Sequence, residues 1–90
     1  MYDILMTFRM KKQMYEHNLQ ELDMVRMQYL NLLNKISAHQ VNLSSSWGSP
    51  QQLEMLSGLN QMQVAQEQLQ KHMEFLDFKL KALYSEMHNL

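Results

Sequence analysis

Only one place in this 90-residue chain is built to stop a helix. The run Ser44-Ser45-Ser46-Trp47-Gly48-Ser49-Pro50 holds the single proline and one of the two glycines, almost at the midpoint. The arms on either side, about forty residues each, have almost no turn chemistry and would each make about 60 Å of helix. Strands are disfavoured as well. Two Ile and three Val stand against fifteen Leu, eleven Gln and ten Met, a composition that suits helices and excludes sandwiches, barrels and doubly wound sheets. The expected fold is therefore all-α: an antiparallel two-helix hairpin with helix over 3–43, loop over 44–49 and helix over 50–88, one domain in all.

The loop has its own chemistry. Trp47, Gly48 and Pro50 are the expected turn residues. Ser49 is placed to cap the second helix, Pro50 suits its first position, and Gln52 stands three after the cap, which makes a capping box of the S-x-x-Q kind. A loop this short favours antiparallel neighbours. Gly58 is out of place in such a scheme, since it costs about 1 kcal/mol inside a helix unless a neighbour needs the space.

The second arm carries a nearly unbroken heptad. Met55, Leu59, Met62, Gln66, Leu69, Met73, Leu76, Leu80, Leu83, Met87 and Leu90 recur at alternating steps of three and four, the signature of a coiled-coil seam. The same rhythm on the first arm selects Leu5, Phe8, Lys12, Tyr15, Leu19, Leu22, Arg26, Tyr29, Leu33, Ile36, Gln40 and Leu43. Lys12, Arg26 and Gln40 interrupt it, with Val25 or Leu32 as local substitutes. Folding about Trp47 sets Tyr29 opposite Gln66, the polar member of the second seam. The two are expected to meet, because an unpaired buried amide costs about 1–3 kcal/mol.

Both arms also carry apolar residues away from the seam. On the first these are Met6, Met10, Met14, Met24 and Met27, and on the second Val64, Phe75, Phe78 and Ala82. A lone hairpin buries one stripe per helix, so the rest must meet something else. Completion of a four-helix bundle by a homodimer is one expectation. Binding of a protein partner through Met6, Met10, Met14, Met24, Met27, Phe75 and Phe78 is the other, since Met adapts to varied surfaces.

Reaction chemistry finds no foothold. The four His are scattered, and no i,i+4 pair begins a zinc site. Met6, Met10 and Met14 offer thioethers that suit Cu(I), but a Met stripe at helical spacing is more often contact surface. Without Cys there are no disulfides or thiolate ligands. Ser44 to Ser46 lack a base to activate them, and no Gly-rich phosphate loop exists. No catalytic residue, metal or cofactor is expected, and the chain is read as no enzyme. A net charge of -1 gives no reason to expect nucleic acid. No run reaches the ~18 apolar residues needed to span a bilayer. The opening MYDILMTFRMKKQMY mixes apolar residues with Arg9, Lys11 and Lys12, but three cations make a weak case for a membrane surface.

Three resemblances attach to quoted segments. NLSSSWGSPQQL between two long helical arms resembles the small Trp-x-Gly secreted hairpin proteins of bacteria, although Ser49 stands at that family's glycine position and His88 at the acid position of its export signal. This resemblance implies Trp47 in the turn and protomers paired into four-helix bundles. SPQQLEMLSGLNQMQVAQEQLQ is similar to the helix-loop-helix needle, needle-chaperone and ATPase-stalk proteins of type III secretion. LQKHMEFLDFKLKALY is similar to the C-terminal dimerisation helix of MerR-type transcription regulators. The first two imply a secretion-system component or chaperone, cytoplasmic or exported. The third implies a small transcriptional regulator or accessory protein dimerising through its C-terminal helix.

Overall fold

The computed structural model of the chain describes residues 2–90. It has two helices, α1 (Tyr2–Ser45) and α2 (Gln52–His88), and among the described residues no strand. The fold is an all-α helical hairpin. Its helix limits differ from the sequence expectation at the turn. α1 runs two residues past 43, through Ser44 and Ser45. Ser45 Oγ donates to Val41 O at 3.2 Å, and Ser46 N–H donates to Asn42 O and Leu43 O at 3.0 and 3.1 Å. α2 begins two residues after Pro50, since Pro50 and Gln51 still belong to the turn.

The chain divides into two compact units. The terminal unit pairs α1 up to Arg26 with the stretch from His72 to Leu90. The turn unit is Met27–Lys71. In the terminal unit antiparallel pairing shows in two contacts, Lys11 Nζ to Glu86 Oε2 at 2.6 Å and His72 Nε2 to Glu21 Oε1 at 3.2 Å. In the turn unit it shows in Gln66 Nε2 donating to Tyr29 OH at 3.4 Å, the pairing expected from the sequence.

Burial places the α2 seam where the heptad put it. Met55, Leu59, Met62, Gln66, Leu69, Met73, Leu76, Leu80, Leu83 and Met87 are all buried or half-buried; only Leu90 at its end is exposed. The α1 seam is different at every second position. The protected residues are Lys11, Tyr15, Asn18, Leu22, Val25, Tyr29, Leu32, Ile36, His39 and Leu43. Thus Tyr15, Leu22, Tyr29, Ile36 and Leu43 stand as expected, while Leu5, Phe8, Lys12, Leu19, Arg26 and Gln40 are exposed. Leu33 stays half-buried beside Leu32. The two registers tie on polar count between residues 15 and 43, because each holds two polar side chains. They differ in desolvation. One would bury the Arg26 guanidinium, the other neutral Asn18 and an imidazole, and burying an unpaired charge costs far more.

Gly58 finds its reason in that corrected seam. The His39 ring lies against it, so that an added Cβ would meet Cε1 and Nε2 at 3.3 Å. His39 Nε2 is held 2.6 Å from Met55 O and donates to that carbonyl. The ring is pinned and cannot easily retreat. Gly58 is therefore a slot for His39 within the turn unit.

Two expected outcomes follow from this packing. Val25→Asp should cost at least about 3 kcal/mol and Arg26→Ala less than about 0.5 kcal/mol, measured by chemical denaturation. Gly58→Ala should destabilise the chain by about 1 kcal/mol while His39 is present. In a His39→Ala background the same change should stabilise by up to about 1 kcal/mol through helix propensity.

Candidate interaction surface

Heptad position decides what each helix shows beyond its seam. With Tyr15 and Leu22 as a, the residues just before each a (g) and the c residues beside them form one flank of each helix. In the terminal unit that flank holds Met10, Met14 and Met24 from α1, and His72, Phe75, Lys79 and Ala82 from α2. The Glu21–His72 contact, between two g residues, confirms that these flanks of α1 and α2 lie on one side. Met10, Met14, Met24 and Phe75 are 50–63% exposed. By the same heptad the charges on this flank are Asp3, Glu21 and Glu86 against Lys79. Glu21 meets His72, Glu86 meets Lys11, and Lys79 Nζ lies 5.4 Å from the centre of the Phe75 ring.

The expected stripe therefore splits. Met6 and Phe78, at f, lie on the backs of their helices in the terminal unit, at 46% and 70% exposure. In the turn unit Met27 and Val64 hold the same back position and are exposed. The sequence treated these residues as one stripe because i+3 and i+4 steps connect them all, but roughly 100° of rotation separates Met14 at g from Met27 at f.

The opposite flank of the terminal unit is more charged. A groove of about 380 Å³ there is lined by Tyr15, Leu19, Leu22, Leu80 and Tyr84 with Arg26, Asp77 and Lys81. Lys81 Nζ bonds Asp77 Oδ2 at 3.0 Å, the i,i+4 support anticipated from the sequence. A smaller apolar recess of about 300 Å³ lies between Ile4, Leu5, Phe8, Met87 and Leu90.

The g and c flank of the turn unit is mostly small and polar instead, with Gln28, Asn31, Lys35 and Ala38 on α1 and Glu54, Gly58, Gln61 and Ala65 on α2. An open groove of about 620 Å³ follows it, lined by His39, Gln51, Glu54, Met55, Ser57, Gly58 and Gln61. Exposed apolar residues that the sequence reading passed over also belong to this unit, namely Leu30, Val41, Leu53 and Leu56. Leu53, immediately after the turn, falls outside the seam rhythm. That was the available signal.

The turn residues lie as expected in place but not in bonding. Trp47 is 68% exposed and Pro50 is exposed. Gly48 has φ 81, the left-handed geometry of a helix stop. Ser49 N–H donates to Ser46 O at 2.9 Å, so it is not free for the expected capping box. Gln52 Oε1 accepts from Gly48 N–H at 2.7 Å instead. Among the described residues Ser49 Oγ is buried with no hydrogen-bond partner, so the serine half of the box is not made.

Among the described residues no three His, Asp or Glu side chains gather as a metal site would require. His88 instead stacks with Tyr84, their ring centres 4.2 Å apart, and approaches Tyr84 O through Nδ1 at 3.2 Å. No described helix is long and apolar enough to cross a membrane. Comparison with protein-family models, with curated proteins and with solved structures finds no match to this chain.

Gly48→Ala tests the turn separately from the surface. No atom lies within 4 Å of a Cβ built there, so the cost is backbone strain alone. The variant should lose about 1 kcal/mol of stability by thermal or chemical denaturation while keeping its helix content.

Proposed function

We propose that this chain is a non-enzymatic helical interaction module that buries its Met and Phe side chains against a protein surface. The observation that carries the reading is exposure. Met6, Met10, Met14, Met24, Met27, Phe75 and Phe78 are all exposed, while among the described residues only six apolar side chains are buried. A chain that leaves more large apolar residues outside than inside gains most of its remaining hydrophobic free energy by association. Flexible thioethers fit surfaces of varied shape, which suits a chaperone or an assembly subunit. The resemblance of NLSSSWGSPQQL and of the Gln-rich segment after it to bacterial secretion hairpins supports a secretion-system component or its chaperone, acting in the cytoplasm or exported from it.

A photo-cross-linking amino acid placed at Met24 or Phe75 in cells that express the protein should yield discrete higher-mass adducts. The same label at Glu16 or Asp23 should yield none. Adducts containing a secretion-apparatus protein would support the cellular assignment. Labels at Met24 and Phe75 that leave only the free chain would overturn the interaction reading.

A further inference from the structure

Charge is not spread evenly around the terminal unit, and its distribution selects what the apolar flank can hold. We infer that the flank carrying Met10, Met14, Met24 and Phe75 docks a basic amphipathic helix of a different protein. That helix lies along the trough between α1 and α2, with Lys or Arg side chains near Glu21 and Glu86. This rests on the interaction reading above and names the partner's chemistry.

The first observation is where the charge lies. The flank holds Asp3, Glu21 and Glu86 against Lys79. The opposite flank, formed by the e and b positions, holds Arg9, Lys12, Arg26 and Lys81 against Glu16, Asp23, Glu74 and Asp77, and is neutral. The backs of the two helices carry no charge in this unit. Lys11 reaches Glu86 from the seam at 2.6 Å, and even with it counted the Met and Phe flank stays negative. An acidic face repels the phosphates of anionic lipid and of nucleic acid, and it repels the same face of a second copy. It attracts Lys and Arg, whose long stems also cover apolar surface.

The second is spacing. The Glu21–His72 and Lys11–Glu86 contacts fix which parts of α1 and α2 stand level. From His72 to Glu86, α2 advances about 21 Å. Lys79 stands halfway along that interval, its Nζ 5.4 Å from the centre of the Phe75 ring. Carboxylates therefore bracket the apolar stretch, and the cation of the flank sits in its middle. A docked helix of about fourteen to eighteen residues matches that order, with apolar side chains over Met14 and Phe75 and basic ones at both ends. Its middle turn has to be free of Lys and Arg, which separates it from a uniformly basic peptide.

The third is the make-up of the apolar surface. Met10, Met14, Met24 and Phe75 are 50–63% exposed. The thioethers on α1 adapt to the side chains of such a helix, and Phe75 on α2 supplies a rigid anchor opposite them.

The test uses the full chain and two synthetic peptides of about eighteen residues. One carries a Leu stripe with Lys in its first and last turns, and the other has Glu in place of each Lys. Fluorescence anisotropy at about 0.15 M salt should give a micromolar Kd for the Lys peptide and binding at least about tenfold weaker for the Glu peptide. Glu21→Gln combined with Glu86→Gln should weaken the Lys peptide at least about fivefold, with helix content retained by circular dichroism. Lys79→Glu should tighten it at least about threefold, a gain that loss of folding cannot imitate. Lys81→Glu makes the same change of charge on the opposite flank and should leave the Kd within about twofold. Phe75→Ser should weaken binding at least about tenfold, and Phe78→Ser, on the back of α2, less than about twofold.

Equal binding of the two peptides would overturn the assignment, as would equal responses to Lys79→Glu and Lys81→Glu. Tighter binding to phosphatidylglycerol vesicles than to the Lys peptide would overturn it in favour of a lipid surface. A chain that is dimeric by light scattering and dissociates on Phe75→Ser would overturn it in favour of a second copy. If neither peptide binds while labels at Met24 and Phe75 still yield adducts in the cell, the basic-helix assignment falls and the interaction reading stands.

Discussion

A pair of helices can protect only one strip of each, and most of what this chain does follows from that limit. Leu22, Val25, Leu76, Leu80 and Leu83 fill the strip in the terminal unit and Ile36 contributes to it in the turn unit. A core of this size yields little stabilisation against the chain entropy of 90 residues. The seam therefore sets register and direction, while Met10, Met14, Met24 and Phe75 stay outside it. Asn18 is a buried amide within the seam, a polar position of the kind that lowers the stability of a coiled coil.

The fold was legible because punctuation and period agree. One stop cluster at the midpoint and a strong heptad on the second arm leave few topologies, and α2 packs on the residues its rhythm selects. The first arm was legible only in part. Its a positions are apolar or aromatic throughout, but the alternate positions can be filled by either of two adjacent residues, and both choices give equal apolar counts. What separates them is the cost of hiding Arg26, a quantity that hydrophobic counting ignores. Gly58 was opaque for a related reason. Its role depends on His39, nineteen residues away in sequence, being inside the seam. The turn failed at finer scale, where a competing bond from Ser49 N–H to Ser46 O diverted Gln52 to Gly48.

The surface was legible as composition and less so as geometry. An excess of Met outside the seam can be read directly, and those residues are exposed. Their division into a flank and a back cannot be read until the seam is fixed, because a one-position change in register rotates every outward residue by 100°. Leu53 and Val41 escaped notice for the same reason, as isolated apolar residues with no periodic neighbour.

The packing is uneven along the chain, and this bears on how the molecule folds. The terminal unit holds five of the six buried apolar side chains, and they come from the parts of the chain farthest apart in sequence. A hairpin that zips from its turn first forms the lightly packed Met27–Lys71 unit, where Ile36 is the one buried apolar residue. The early steps spend loop-closure entropy and recover little burial, so the turn alone is a poor nucleus. The rewarding contacts arrive only when Leu22 and Leu80, which line one groove, come together, which ties the folding barrier to a long-range closure. Local structure near Trp47 can then open and reclose on its own, giving the turn a short protection time against solvent exchange and the stretches around Leu22 and Leu80 a long one.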